Sequence, residues 1–206
     1  MTISPKQFPE LITAIINTIN AHEEEVTELD QAIGDGDHVF NLQRGLTALE
    51  QAQQEISALA WPAAWQKIGM VLMASVGGAS GSLYATLFIS LSKNSSQGEL
   101  SSASFAHAFS AAVDAVKQRG KAEAGEKTML DVLIPVAAAL KTGVDASLDS
   151  EQLLKSVTTA ATEGVESTRN MIATKGRASF LGERSIGHID AGAKTAQLMI
   201  EAIASL

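Results

Sequence analysis

Apolar residues recur at helical spacing along almost the whole chain, and no run alternates with the period of two that a half-buried strand requires. Leu11, Ile12, Ile15, Ile16 and Ile19 form one stripe, and Leu42, Leu46, Leu49 and Ile56 another. Trp61 to Ser75 supplies a third segment, opened by Pro62 at a first-turn position. Leu83 to Leu91 is apolar all round, as a buried helix is. Further stripes run through Phe105, Ala108, Phe109, Ala112, Val113 and Val116, and through Leu153, Leu154, Val157, Ala161, Val165 and Ile172. A last helix is expected from near Asp190 or Gly192, burying Ala196, Met199, Ile200 and Ile203. Thr128–Asp131 and Asp149–Gln152 read as helix starts with reciprocal caps. With neither a linker nor a repeat in sight, the pattern predicts an all-α fold: one domain over residues 1–206, built from about eight helices in an antiparallel bundle or barrel.

Composition narrows the function classes. A net charge of −8 with no basic cluster argues against a nucleic-acid or anionic-membrane surface. The longest apolar stretch, Val132 to Leu140, is too short to span a bilayer and contains Pro135. The opening residues carry no charged lead followed by an apolar run, so a cytoplasmic protein without a secretory signal is expected.

The segment from Asp30 to Asn41 carries the chemistry. Asp30, Asp35 and Asp37 lie within twelve residues, with Gly34 and Gly36 between them and His38 and Asn41 beyond. Three clustered carboxylates repel one another unless a cation neutralises them. The ligands are all oxygens and cysteine is absent, which favours magnesium or calcium over zinc. An EF-hand register fails from either end. Counted from Asp35, the sixth position is Phe40 and the twelfth Leu46; counted from Asp30, the third is Ala32. Magnesium completed by phosphate oxygens and water fits better, against the plainer alternative that Asp37 only caps a helix.

Three glycine-bearing clusters accompany it. Gly77-Gly78-Ala79-Ser80-Gly81 lies between two apolar helices, where small residues admit a ligand to the backbone and a helix start offers free N–H groups. No Gly-Lys-Ser/Thr follows, so it is not a Walker loop; a tight turn between helices is the structural alternative. In Gly125–Asp131, Asp131 reads as part of a helix cap and Met129 as core or pocket wall. The stretch Gly176–Ala193 is a long connection of the kind that carries function, in which Arg177 and Arg184 could serve a phosphate or a carboxylate, or pair with Glu183.

Taken in order, these motifs resemble those of the nucleotide-binding L subunits of dihydroxyacetone kinases. The matching pieces are Asp30-x4-Asp35-Gly-Asp37-His38-x2-Asn41, Gly77–Gly81, Gly125-x-Lys-Thr-Met129-Leu-Asp131 and the run from Gly176 to His188-x-Asp190. The match spans nearly the whole chain. One departure is Ala191, where the family commonly has proline.

The resemblance implies a barrel of eight antiparallel helices with the nucleotide at one end. It implies two magnesium ions held through Asp30, Asp35 and Asp37, and phosphate contacts at His38, Asn41, Ala79 and Ser80. Gly120, Met129, Arg177, Asp190 and Gly192 would line the rest of an ADP or ATP site, with Val39, Phe40 and Ala191 among the contacting positions. It further implies a kinase of glycerol metabolism that works only with partners: a K subunit carrying dihydroxyacetone, and a phosphohistidine M subunit of the phosphotransferase system that rephosphorylates the bound ADP. A kinase subunit exchanging ATP for another small acceptor, or an adaptor reporting nucleotide state to a transcription regulator, is the alternative. No general base is evident.

Overall fold

A computed structural model describes residues 4–96 and 100–206. After a 3₁₀ turn at Pro5–Gln7 come α1 (Phe8–Ala21), α2 (Glu23–Ile33), α3 (His38–Ser57), α4 (Trp61–Ser75) and α5 (Gly78–Asn94). There follow α6 (Ser102–Gly120), α7 (Leu130–Asp145), α8 (Ser150–Thr168), a 3₁₀ segment Arg177–Ser185 and α9 (Ala191–Ala204). The all-α expectation holds.

The packing order closes on itself. α1 packs on α3, and then α3 on α4, α4 on α5, α5 on α6, α6 on α7, α7 on α8 and α8 on α9, which returns to α1. Eight helices, α1 and α3 through α9, thus form a ring, as a helical barrel requires. The extra helix, α2, sits where α3, α9 and α1 meet, and it also touches the 3₁₀ segment. This placement puts the end of α2, and so Asp30, at the seam where the last helix joins the first.

Side chains from around the ring meet in one core. Ile12 of α1, Ile56 of α3, Ile68 of α4, Val116 of α6, Leu130 of α7 and Leu198 of α9 are almost fully buried in the same cluster. Each aliphatic side chain of this size contributes roughly 1.5–3 kcal/mol on burial. Three expected core positions behave otherwise: Leu154, Ile172 and Ile203 are exposed. Ile172 falls outside α8 because that helix stops at Thr168, and Leu154 and Ile203 sit on outer faces. The capping box at Asp149 and Gln152 is present. The α7 start is shifted: Thr128 N–H donates to Asp131 and Thr128 Oγ1 accepts from Leu130, with the helix beginning at Leu130. The left-handed cap of α6 is Lys121 (φ 48°), not Gly120, which is the last helical residue.

α7 and α8 approach each other backbone to backbone. Pro135 lacks the amide that would otherwise bond the carbonyl of Asp131 four residues earlier. At that carbonyl α8 comes closest: a Cβ on Gly164 would lie 2.4 Å from Asp131 O and 3.0 Å from Val132 Cα. Backbone cannot yield as a flexible side chain can. Gly164→Ala should therefore destabilise the chain by about 1–3 kcal/mol, read as a lower midpoint in urea at unchanged slope. An unchanged midpoint would show that α8 moves away freely.

Candidate functional site

The α2–α3 turn gathers the three aspartates. Carboxylate oxygens of Asp30, Asp35 and Asp37 lie within 4.8 Å of one another, with Asp35 and Asp37 exposed and Asp30 half-buried. Glycine makes the turn possible at two points. Gly36 has φ +75°, and a Cβ on Gly34 would meet the Asp30 carboxylate at 2.2 Å. Asp37 occupies the N-cap position of α3, but its side chain makes no capping bond, which counts against the plain-cap reading. Its carboxylate is free to face the other two. The exposed Arg177 Nε, in the 3₁₀ segment, donates to Asp35 at 2.9 Å. Arg177 therefore pairs across the site with Asp35 rather than with Glu183. One guanidinium against three carboxylates leaves the cluster anionic, and an all-oxygen donor set of this kind fits a hard divalent cation.

His38, the first residue of α3, is tied at both ends. Its backbone N–H donates to Asp30 Oδ2 at 3.1 Å, and its Nε2 lies 2.9 Å from the hydroxyl of buried Thr195 in α9. That hydroxyl donates to Gly192 O at 3.1 Å and lies 3.5 Å from buried Tyr84 of α5. Burial lowers the His38 pKa below its ordinary value, outweighing the opposite pull of Asp30 and Asp37. Burial likewise pushes the Tyr84 hydroxyl up to about 12. Asn41, a turn further along α3, is buried and close to the start of α5: a Cβ on Gly77 would fall 2.3 Å from its Oδ1. The start of α5 has no side-chain cap, and Ala79 and Ser80 lie in its first turn. Thus the first turns of α3 and α5 lie side by side beside the carboxylates, with N–H groups available for an anion.

The remaining expected residues fall into two groups. Asp190 and Gly192 stand at the start of α9, and a Cβ on Gly192 would lie 3.1 Å from Asp190 Oδ2 and 3.9 Å from Met129. Gly120 lies near Leu83, 3.4 Å from where its Cβ would be. Val39 and Ala191, by contrast, bury their side chains in the core, so only their main chain is available to a ligand. Phe40 points the other way and is exposed, as is Phe180, at 83%.

A buried cation that sequence reasoning missed underlies the α9 side. Lys127 is only 1% exposed and has φ +61°. Its ammonium donates to Thr168 O at 2.5 Å and to His188 O. Thr168 ends α8, so the cation sits where a helix carries its negative pole. The Thr168 hydroxyl in turn accepts from the Asp190 amide. Thr195 was missed too. Its signal was a hydroxyl on the apolar face of the last helix, in line with Ala191 and Met199.

With the geometry in view, comparison with known proteins decides the family. The family model described as the DAK2 domain matches residues 32–205. The chain belongs to the DAK2 domain family. One DAK2 relative, named PEP-dependent dihydroxyacetone kinase 1, ADP-binding subunit DhaL, from Listeria innocua, is 40% identical over 185 residues, covering 90% of this chain and 88% of that one. The PEP-dependent dihydroxyacetone kinase ADP-binding subunit DhaL of Escherichia coli K12 is 36% identical over 205 residues, covering 99% and 98%. The same fold is seen in a crystal structure of the dihydroxyacetone kinase from C. freundii in complex with AMP-PNP and Mg2+. It superposes with a TM-score of 0.77 at 21% identity over 100% of this chain, which spans 34% of that kinase. The resemblance drawn from the four motifs is borne out.

Asp190 gives the site a pH signature. Its carboxyl is pushed up from 3.8 to about 6, chiefly by burial; the Ala193 amide and Lys127 oppose this, and Asp131 and Asp30 reinforce it. The folded chain thus holds a proton that the unfolded chain has released, so the stability linked to Asp190 is complete below about pH 4 and lost as pH rises through about 6. Asp190→Asn keeps a cap acceptor and removes the titration. The stability of the original chain relative to the variant should fall by about 2 kcal/mol between roughly pH 4 and 7. Parallel pH–stability curves for the two would contradict this account of Asp190.

Proposed function

We propose that this chain is the ADP-binding subunit of a phosphoenolpyruvate-dependent dihydroxyacetone kinase, acting in the cytoplasm, with residues 1–206 working as one domain. The observation that carries this reading is the Asp30–Asp35–Asp37 cluster beside two helix starts, in a chain whose full-length relatives are named as ADP-binding subunits of such kinases. No helix among the described residues is long and apolar enough to cross a membrane.

In this reading Asp30, Asp35 and Asp37 hold two magnesium ions. When bound, magnesium neutralises charge on the diphosphate and on the phosphoryl group in flight. The chain's own residues do the positioning. In α3 the N–H groups of Val39 and Phe40, and in α5 those at Ala79 and Ser80, receive phosphate oxygens. The His38 and Asn41 amides are held by the Asp30 carboxylate and the Asp37 carbonyl, so these two contribute through their side chains. Met129, Gly120, Asp190 and Gly192 line the nucleoside side, with Ala191 lending main chain. Arg177 leaves Asp35 at little cost, because an exposed ion pair is worth about 1 kcal/mol or less, and turns to the phosphates.

The chain assigns no general base to the acceptor. That fits a division of labour in which dihydroxyacetone is held on a separate K subunit and a phosphohistidine M subunit rephosphorylates ADP in place. Phosphoryl transfer from phosphoenolpyruvate to dihydroxyacetone should require this chain together with both partners, and omission of any one should abolish it. Asp35→Asn and Asp37→Asn should each weaken Mg-ADP binding at least roughly 100-fold with helix content unchanged, since even outer partners of a metal are worth 10–100-fold. Unaltered nucleotide binding in both variants would sink the metal assignment.

A further inference from the structure

The Thr195 hydroxyl lies at a junction of three elements: the start of α3 through His38, the interior of α5 through Tyr84, and its own helix through Gly192. It is fully buried, so its bonds do not exchange with water. A threonine hydroxyl has one hydrogen to give and two lone pairs. The Gly192 carbonyl can only accept, so the contact at 3.1 Å consumes the single hydrogen. Both lone pairs then require donors, and the two remaining neighbours, His38 Nε2 and Tyr84 OH, can each supply one. Only this assignment satisfies all three contacts. Nδ1 of His38 has no protein partner among the described residues.

We propose that Thr195 is a positioning residue that holds the His38 ring with its hydrogen on Nε2, leaving Nδ1 as the acceptor offered to the ligand. A lone pair at Nδ1 repels a bare phosphate oxygen and attracts a hydrogen donor. The fitting partner is water polarised by a magnesium ion rather than a phosphate oxygen. The backbone bond from His38 to Asp30 keeps the ring beside the carboxylates that would hold that ion. This last step rests on the proposed nucleotide site; the hydrogen assignment does not.

The test separates the two. Long-range proton–nitrogen correlation spectra of the ligand-free chain, taken at about pH 8 where the ring is neutral, distinguish the protonated ring nitrogen from the bare one. Loss of signal in His38→Gln identifies His38 among the four histidines. The hydrogen is expected on Nε2 in the original chain and in Thr195→Ser, and distributed over both nitrogens in Thr195→Val. Mg-ADP affinity should fall roughly tenfold in Thr195→Val and be restored in Thr195→Ser. A hydrogen on Nδ1 in the original chain overturns the proposal. So does a His38 spectrum unchanged by Thr195→Val. If the spectra behave as expected but no form of the chain binds Mg-ADP, the nucleotide reading fails and the assignment of the ring stands.

Discussion

Closure of the helical ring by α9 is the constraint on which the site depends. Packed against α8 on one side and α1 on the other, α9 brings Asp190, Gly192 and Thr195 to the turn that carries Asp30, Asp35 and Asp37. The His38–Thr195 hydrogen bond spans 157 positions of sequence and exists only when the ring is closed. Local forces shape each half separately: glycine bends the α2–α3 turn, and the Asp190 carboxylate caps α9 through the Ala193 amide. Neither half contains the site. Helix-on-helix burial supplies the energy that joins them, and small residues such as Gly164 set how near the helices come.

Electrostatics divide the region into an exposed and a buried part. At the surface, the three aspartates carry an excess of negative charge that an exposed arginine only partly offsets. Beneath, a buried lysine is held by two main-chain carbonyls; desolvation lowers its pKa, and Asp190 and Asp131 oppose this only in part. The buried ammonium anchors the end of α8 to the approach of α9, so the stretch leading into Asp190 is fixed before any ligand arrives. The outer cluster remains open to exchange its partner. A rigid base beneath a surface of unbalanced charge suits a site that must bind a cation and a phosphate chain together.

Helical periodicity made the fold class legible, because an amphipathic helix must repeat its apolar residues at a fixed spacing. It also placed the starts at Asp149 and near Asp190, where capping chemistry is local. It overextended the eighth helix, since the apolar Ile172 continues the stripe although the chain leaves the helix at Thr168. Asp30, Asp35 and Asp37 were legible because ligand chemistry is a property of residue type and short spacing. The pairing of Arg177 with Asp35, the burial of Lys127 and the junction at Thr195 were not. Each depends on residues between 41 and 157 positions apart and is decided by how the ring closes. Lysine and threonine also have polar surface roles far more often than buried ones, which hid them further.

The central claim is that the aspartate cluster binds nucleotide through a divalent cation. Calorimetric titration of the chain with ADP, once in magnesium and once in excess chelator, addresses it most directly. The account predicts saturable binding at one site in magnesium and its loss in chelator, because without the cation three carboxylates repel a diphosphate. Equal affinity under both conditions would contradict it.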